Sequence, residues 1–195
     1  MKLSSLCPAV AIALVTFSAS IELGFAQDAA SPPNKVTFFC HQLLDPASGE
    51  KAPTTVAWIP ERQVHVKVIG WKSEVFGKNW TPQKRCDTVS PKFQAALESG
   101  RLKFLTHGKV QTPSKNGGFI TYDVICGVDQ VNRVCNSQNQ LFTIKSTEEP
   151  DSVLKSLINT VQGRTTDPIW QSSDKNLYLD IKSYLNQAPV INLNP

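Results

Sequence analysis

Apolar and polar positions alternate most cleanly at Val64, Val66 and Val68, with His65 and Lys67 between them. That period of two is the mark of a half-buried strand. Upstream, Val36 to Leu43 is rich in Val, Thr, Phe and Cys and closes on the turn residues Asp45-Pro46 and Ser48-Gly49, so it reads as a strand. Thr54 to Ile59 forms a second strand stopped by Pro60. Further strands are expected at Leu102–Thr106, Phe119–Val128 and Leu141–Lys145, with a loop holding Pro113 and Asn116-Gly117-Gly118 between the first two.

The period changes at Thr81-Pro82, an N-cap followed by a first-turn proline. Val89, Phe93, Ala96 and Leu97 then recur at helical spacing, and Gly100 supplies the stop. Ser90-Pro91 interrupts this run, which predicts either a kinked helix or two short ones in series. After Pro150, Val153, Leu154, Leu157, Ile158 and Val161 share one helical face, ended by Gly163. Leu177 to Ile181 alternates weakly, Tyr184-Leu185 begins at most a final helical turn, and the tail 189–195 reads as loose. Strands outnumber helices and short turns join them. The expected class is therefore α+β, a largely antiparallel sheet with two main helices in a single domain over 36–188.

Residues 1–26 depart from this patterning. Lys2 precedes an apolar run from Val10 to Phe17, and Leu23-Gly24-Phe25-Ala26 provides a small-residue site for cleavage after Ala26, the layout of a secretory signal peptide. The run is shorter than the roughly 20 residues of a permanent span, and no second stretch in the remaining chain reaches that length. Cys7 lies ahead of the run, a poor place for a lipid-modified cysteine. Gln27 to Lys35 is small, polar and Pro-containing, a flexible mature N-terminus. The expected location is outside the cytoplasm: periplasm, thylakoid lumen or cell exterior, either free or peripheral to a membrane.

Cleavage would remove one cation, Lys2, and one anion, Glu22, and leave the net charge at +4. The cations are spread out, with only Lys84-Arg85 adjacent in the mature chain, so the clustered stripe of a nucleic-acid binder is missing. Four cysteines remain: Cys40, Cys86, Cys126 and Cys135. In an exported chain they most simply form two disulfides, with three pairings open. A strand ending near Gly127 that must turn back toward Leu141 favours Cys126 with Cys135, which leaves Cys40 with Cys86. Zinc is the sharper alternative, but eight residues separate Cys126 from Cys135 where zinc pairs keep two to four. No Cys-x-x-Cys redox pair is present. No metal or cofactor is expected.

Catalytic motifs are missing: no Gly-x-Ser-x-Gly elbow, His-Glu-x-x-His pair or phosphate-cradling glycine loop occurs. His65 lies on the polar face of its strand, His107 precedes Gly108 in a turn-like stretch, and His41 adjoins Cys40. His65 or His107 could serve an envelope hydrolase only beside a nucleophile and an orienting group. Glu148, Glu149 and Asp151 suit a helix start, where anions favour the dipole, and Asp123 suits an outer face. Among the tryptophans, Trp58 and Trp71 are expected to pack into the core and Trp80 to anchor the start of the helix, with Trp170 further along. The competing reading makes Trp71 and Trp80 a platform for sugar rings.

An ordered set of features resembles a known family. Phe38-Phe39-Cys40 is followed by Trp58, Trp71, Trp80-Thr81-Pro82, Arg85-Cys86, Val89-Ser90 and Phe93-Gln94. Val124-Ile125-Cys126, Cys135, Leu141-Phe142-Thr143-Ile144, Tyr178-Leu179-Asp180 and Tyr184-Leu185 complete it. The set is similar to the circadian oscillating protein family of cyanobacteria, over about residues 36–186. The resemblance implies an exported or membrane-associated protein without an established activity, and it carries no catalytic residues over. The expectation is a non-catalytic, disulfide-stabilised domain that meets a protein, glycan or membrane surface. Its alternatives are a glycan-binding module or an envelope hydrolase.

Overall fold

The computed structural model describes residues 33–72, 74, 76–145, 147–161 and 177–193. The expected signal peptide with its site after Ala26, most of the mature N-terminus, and Gly163 and Trp170 lie outside them.

The strands form two antiparallel four-stranded sheets rather than one. The first contains β1 (Thr37–Leu44), β2 (Lys51–Ile59), β3 (Val64–Gly70) and β8 (Val190–Ile191), in the order β1-β2-β3-β8. The second contains β4 (Phe104–Pro113), β5 (Phe119–Val128), β6 (Gln140–Thr143) and β7 (Leu179–Asp180), in the order β6-β5-β4-β7. Among the described residues three helices complete the fold: α1 (Pro82–Glu98), α2 (Pro150–Val161) and α3 (Ile181–Gln187).

α1 is one continuous helix, which settles the choice that Pro91 had left open. Thr81 caps it by accepting from the Lys84 amide at 3.3 Å, Pro82 occupies the first turn, and Gly100 follows its end at φ +71°. The helix packs on β1 and β2: Phe38 meets Phe93 with ring centroids 5.4 Å apart, and the buried Thr55 and Ser90 hydroxyls bond at 3.0 Å. The Cys40–Cys86 disulfide ties the same two layers, with Cα atoms 5.5 Å apart. Phe38, Val66, Phe93, Leu105, Ile125, Leu154 and Leu185 belong to one continuous core, so both sheets and all three helices share it. On α2, Leu154 and Leu157 are buried and Val153 half-buried as the spacing requires. The side chains of Ile158 and Val161 lie outside the described residues.

Three expectations need correction at the margins. β4 runs on to Pro113 through a stretch that reads as a turn at His107-Gly108 and as a loop at Pro113, because pairing with β5 continues to Phe119. Gly108 belongs in that strand for a steric reason: a Cβ there would meet the Cβ of Cys135 at 2.7 Å, so the Cys126–Cys135 loop lies directly against its backbone. The C-terminal end is also better organised than its composition suggests. Asp180 caps α3 through the Ser183 amide, and Tyr184 donates from its buried hydroxyl to the Lys67 carbonyl at 3.1 Å. Val190 and Ile191 then pair with Val66 and His65, which anchors part of the expected loose tail.

Candidate functional site

Two strands, β3 and β6, carry an extra residue relative to their partners. In β3, Thr55 and Val56 of β2 face Ile69 and Lys67, so Val68 bulges; in β6, Ile125 and Cys126 face Phe142 and Gln140, so Leu141 bulges. Bulges bend a strand and re-aim its neighbours. Here Leu141 enters the core while Phe142 lines a cleft between the two sheets and α1.

The cleft has two lobes, of about 530 and 580 Å³, that adjoin along Trp71, Phe76, Arg85 and Phe142. Both volumes lie in the range of small-ligand sites. Arg85 projects from the first turns of α1, and its guanidinium carbon lies 5.1 Å from the Trp71 ring centroid and 4.9 Å from that of Phe76. Stacking of this kind suits the weakly hydrated guanidinium. Burial lowers the basicity of Arg85 from the ordinary arginine value, and the charge of Glu148 opposes that shift.

Trp71 is 5% exposed, and its indole donates to Thr55 Oγ1 at 3.0 Å, so it is wall rather than platform. An edge contact with Phe142 at 5.6 Å completes that wall. Trp80 is 45% exposed and lines the larger lobe, with Lys84 Nζ 5.2 Å from its ring centroid. The two tryptophans singled out from sequence thus border one cleft, but only Trp80 offers an open ring. Tyr122, 39% exposed, lines the same lobe from the second sheet.

The other candidates fall elsewhere. All four cysteines are paired, Cys40 with Cys86 and Cys126 with Cys135, so their sulfurs are not zinc ligands. His41 and His65 share the face of the first sheet turned away from α1. There His65 stacks against Trp58 at 4.8 Å and Phe39 at 5.8 Å. Desolvation, then repulsion from His41, lowers the His65 pKa. Among the described residues no carboxylate lies within ion-pair distance of His65. His107 does have one: its Nε2 lies 2.7 Å from Asp151 Oδ1 at the start of α2. Both atoms are sealed from solvent, and the contact is out of line for a straight hydrogen bond. Neither histidine lines the cleft. Asp123 is held by Lys109 at 2.8 Å.

Phe76, Arg85, Tyr122 and Phe142 escaped attention as site residues. The signal was there in part, since Trp71, Phe76 and Trp80 place three aromatics in the short stretch between β3 and α1. Phe142 and Tyr122 come from strands far along the chain and are recognisable only after folding.

Among the described residues no helix is long and apolar enough to cross a membrane. No curated protein and no solved structure matches the chain. A family model described as Circadian oscillating protein COP23 matches residues 37–186, a span that includes both disulfides and the whole lining of the cleft. The chain belongs to the circadian oscillating protein family.

Proposed function

We propose that this protein is an exported, non-catalytic interaction domain of the cell envelope or membrane surface, and that its working surface is a glycan-binding cleft between α1 and the two sheets. Export is supported by the three-part layout of residues 1–26 and by two disulfides, bonds that persist in oxidising compartments. One observation carries the binding reading: the open ring of Trp80 lines a lobe of about 580 Å³ whose walls are aromatic and whose rim carries Thr88, Thr121 and Gln140. Aromatic faces match the C–H faces of sugars, and hydroxyl and amide groups match their hydroxyls.

Affinity electrophoresis against peptidoglycan and exopolysaccharide tests this. The native protein should be retarded by at least one polymer, and Trp80→Ala should restore free mobility. Unchanged mobility of the native protein in every gel would sink the reading.

The 2.7 Å approach of Asp151 Oδ1 to His107 Nε2 is the observation behind a second reading, an envelope hydrolase with His107 as base and Asp151 as its ion-pair partner. Turnover of envelope polymers that His107→Ala abolishes and Trp80→Ala spares would support it. No turnover by the native protein would remove it.

A further inference from the structure

The two lobes of the cleft differ in charge. The smaller lobe is close to balanced: Lys67, Lys72, Arg85 and Lys145 line it, but so do Glu148 and Glu149, and Lys72 is committed to Asp45. Arg85 and Lys145 line both lobes, and Arg85 is already under the charge of Glu148; the larger lobe adds Lys92, and its one lining carboxylate, Asp123, is held by Lys109 at 2.8 Å, so Lys92 and Lys145 face no carboxylate left over in that lobe. Positive charge is therefore in excess beside the open aromatic rings. A cavity walled by low-dielectric rings strengthens such a field relative to open surface.

From this we infer that the ligand is an anionic glycan. Sugar rings lie against Trp80 and Tyr122, while the acid group, a carboxylate or sulfate on the sugar, sits between Lys92 and Lys145. The inference rests on the glycan-binding reading above and adds the sign of the ligand. The aromatic rings supply affinity for any sugar that fits; the cations select among them. A neutral glycan would leave the excess charge of this lobe uncompensated.

The test is a binding titration of the full native protein with three probes: a uronate-bearing oligosaccharide, the same oligosaccharide with its carboxyls reduced to alcohols, and a sulfated oligosaccharide. Lys92 is exposed, so Lys92→Gln preserves the fold, and Lys145→Gln provides a second variant. The native protein should bind at least one acidic probe about tenfold more tightly than the neutral one. Lys92→Gln should remove most of that difference. The preference should also shrink as salt rises from about 0.05 to about 0.5 M. Which acidic probe wins identifies the acid group.

Equal binding of acidic and neutral probes would overturn the inference and leave glycan binding intact. Binding of none would remove both. Acidic binding that neither lysine variant weakens, or that Trp80→Ala spares, would place the anion elsewhere and also overturn it.

Discussion

β2 and β5 occupy comparable places, each lying between two strands of its sheet, yet their burial differs. β2 is buried without a break from Thr54 to Ile59, because α1 covers one face and Phe39, His41 and His65 crowd the other. β5 is buried only from Val124 to Val128. Its first half pairs with β4 alone and carries Phe119, Ile120 and Tyr122 to solvent, with Phe119 71% exposed. Coverage by a helix, rather than strand composition, decides which residues form core. The disulfides follow the same division: Cys40–Cys86 joins two layers through the core, whereas Cys126–Cys135 pins a loop against its own sheet.

The sharpest way to break this comparison is to remove each bridge. Loss of Cys40–Cys86, which spans 46 residues, should cost about 4 kcal/mol in the chain-entropy description. Loss of Cys126–Cys135, which spans 9, should cost about 2.7 kcal/mol. Chemical denaturation of the paired Cys→Ser variants measures both, and a reversed order would undo the division. At the root of the second sheet, Leu105→Ala should cost about 3 kcal/mol, since Leu105 is fully buried there. Tyr184→Phe should cost about 1 kcal/mol by leaving the Lys67 carbonyl without its donor. Ile120→Ala, on the exposed arm, should fall within about 0.5 kcal/mol of the native protein. A cost like that of Leu105→Ala would mean that the arm is covered.

Acid sharpens the contrast from another side. Lys72, then Ser48, holds the Asp45 carboxyl down to about 2, below the ~3.9 of an unfolded aspartate. A depressed carboxyl contributes stability that is complete above the unfolded value and lost as pH falls through the folded one. Denaturation midpoints should therefore fall between about pH 4 and about pH 2, and Asp45→Asn should flatten that limb. An equally steep limb in the variant would assign it to other groups.

Strands with regular alternation were legible from sequence, β3 above all, because half-burial writes its period directly into the residues. The two-residue strands β7 and β8 were not, since two residues hold no period and their pairing is decided by distant partners. The division into two sheets was equally hidden: β3 and β4 are separated by α1, and nothing local states which edges meet. Of the site, the tryptophans showed through their rarity. Arg85 showed in the sequence only as the neighbour of Lys84 and Cys86, and its stacking between Trp71 and Phe76 emerged only from the fold.

The close approach of Cys135 to the backbone of Gly108 has a consequence for the order in which this chain can change. While the bridge stands, residue 108 has no room for a methyl group, and any larger residue displaces the loop. Once the bridge is cut, the loop that carries residue 135 can move aside and that restriction eases. Gly108→Ala should therefore be costly in the native protein and less costly when Cys126 and Cys135 are both serine and the loop is free to shift; equal costs in the two backgrounds would refute the coupling. Substitutions at the two positions thus do not commute: along any viable mutational path the bridge leaves first, and only then does the strand become free to gain a side chain.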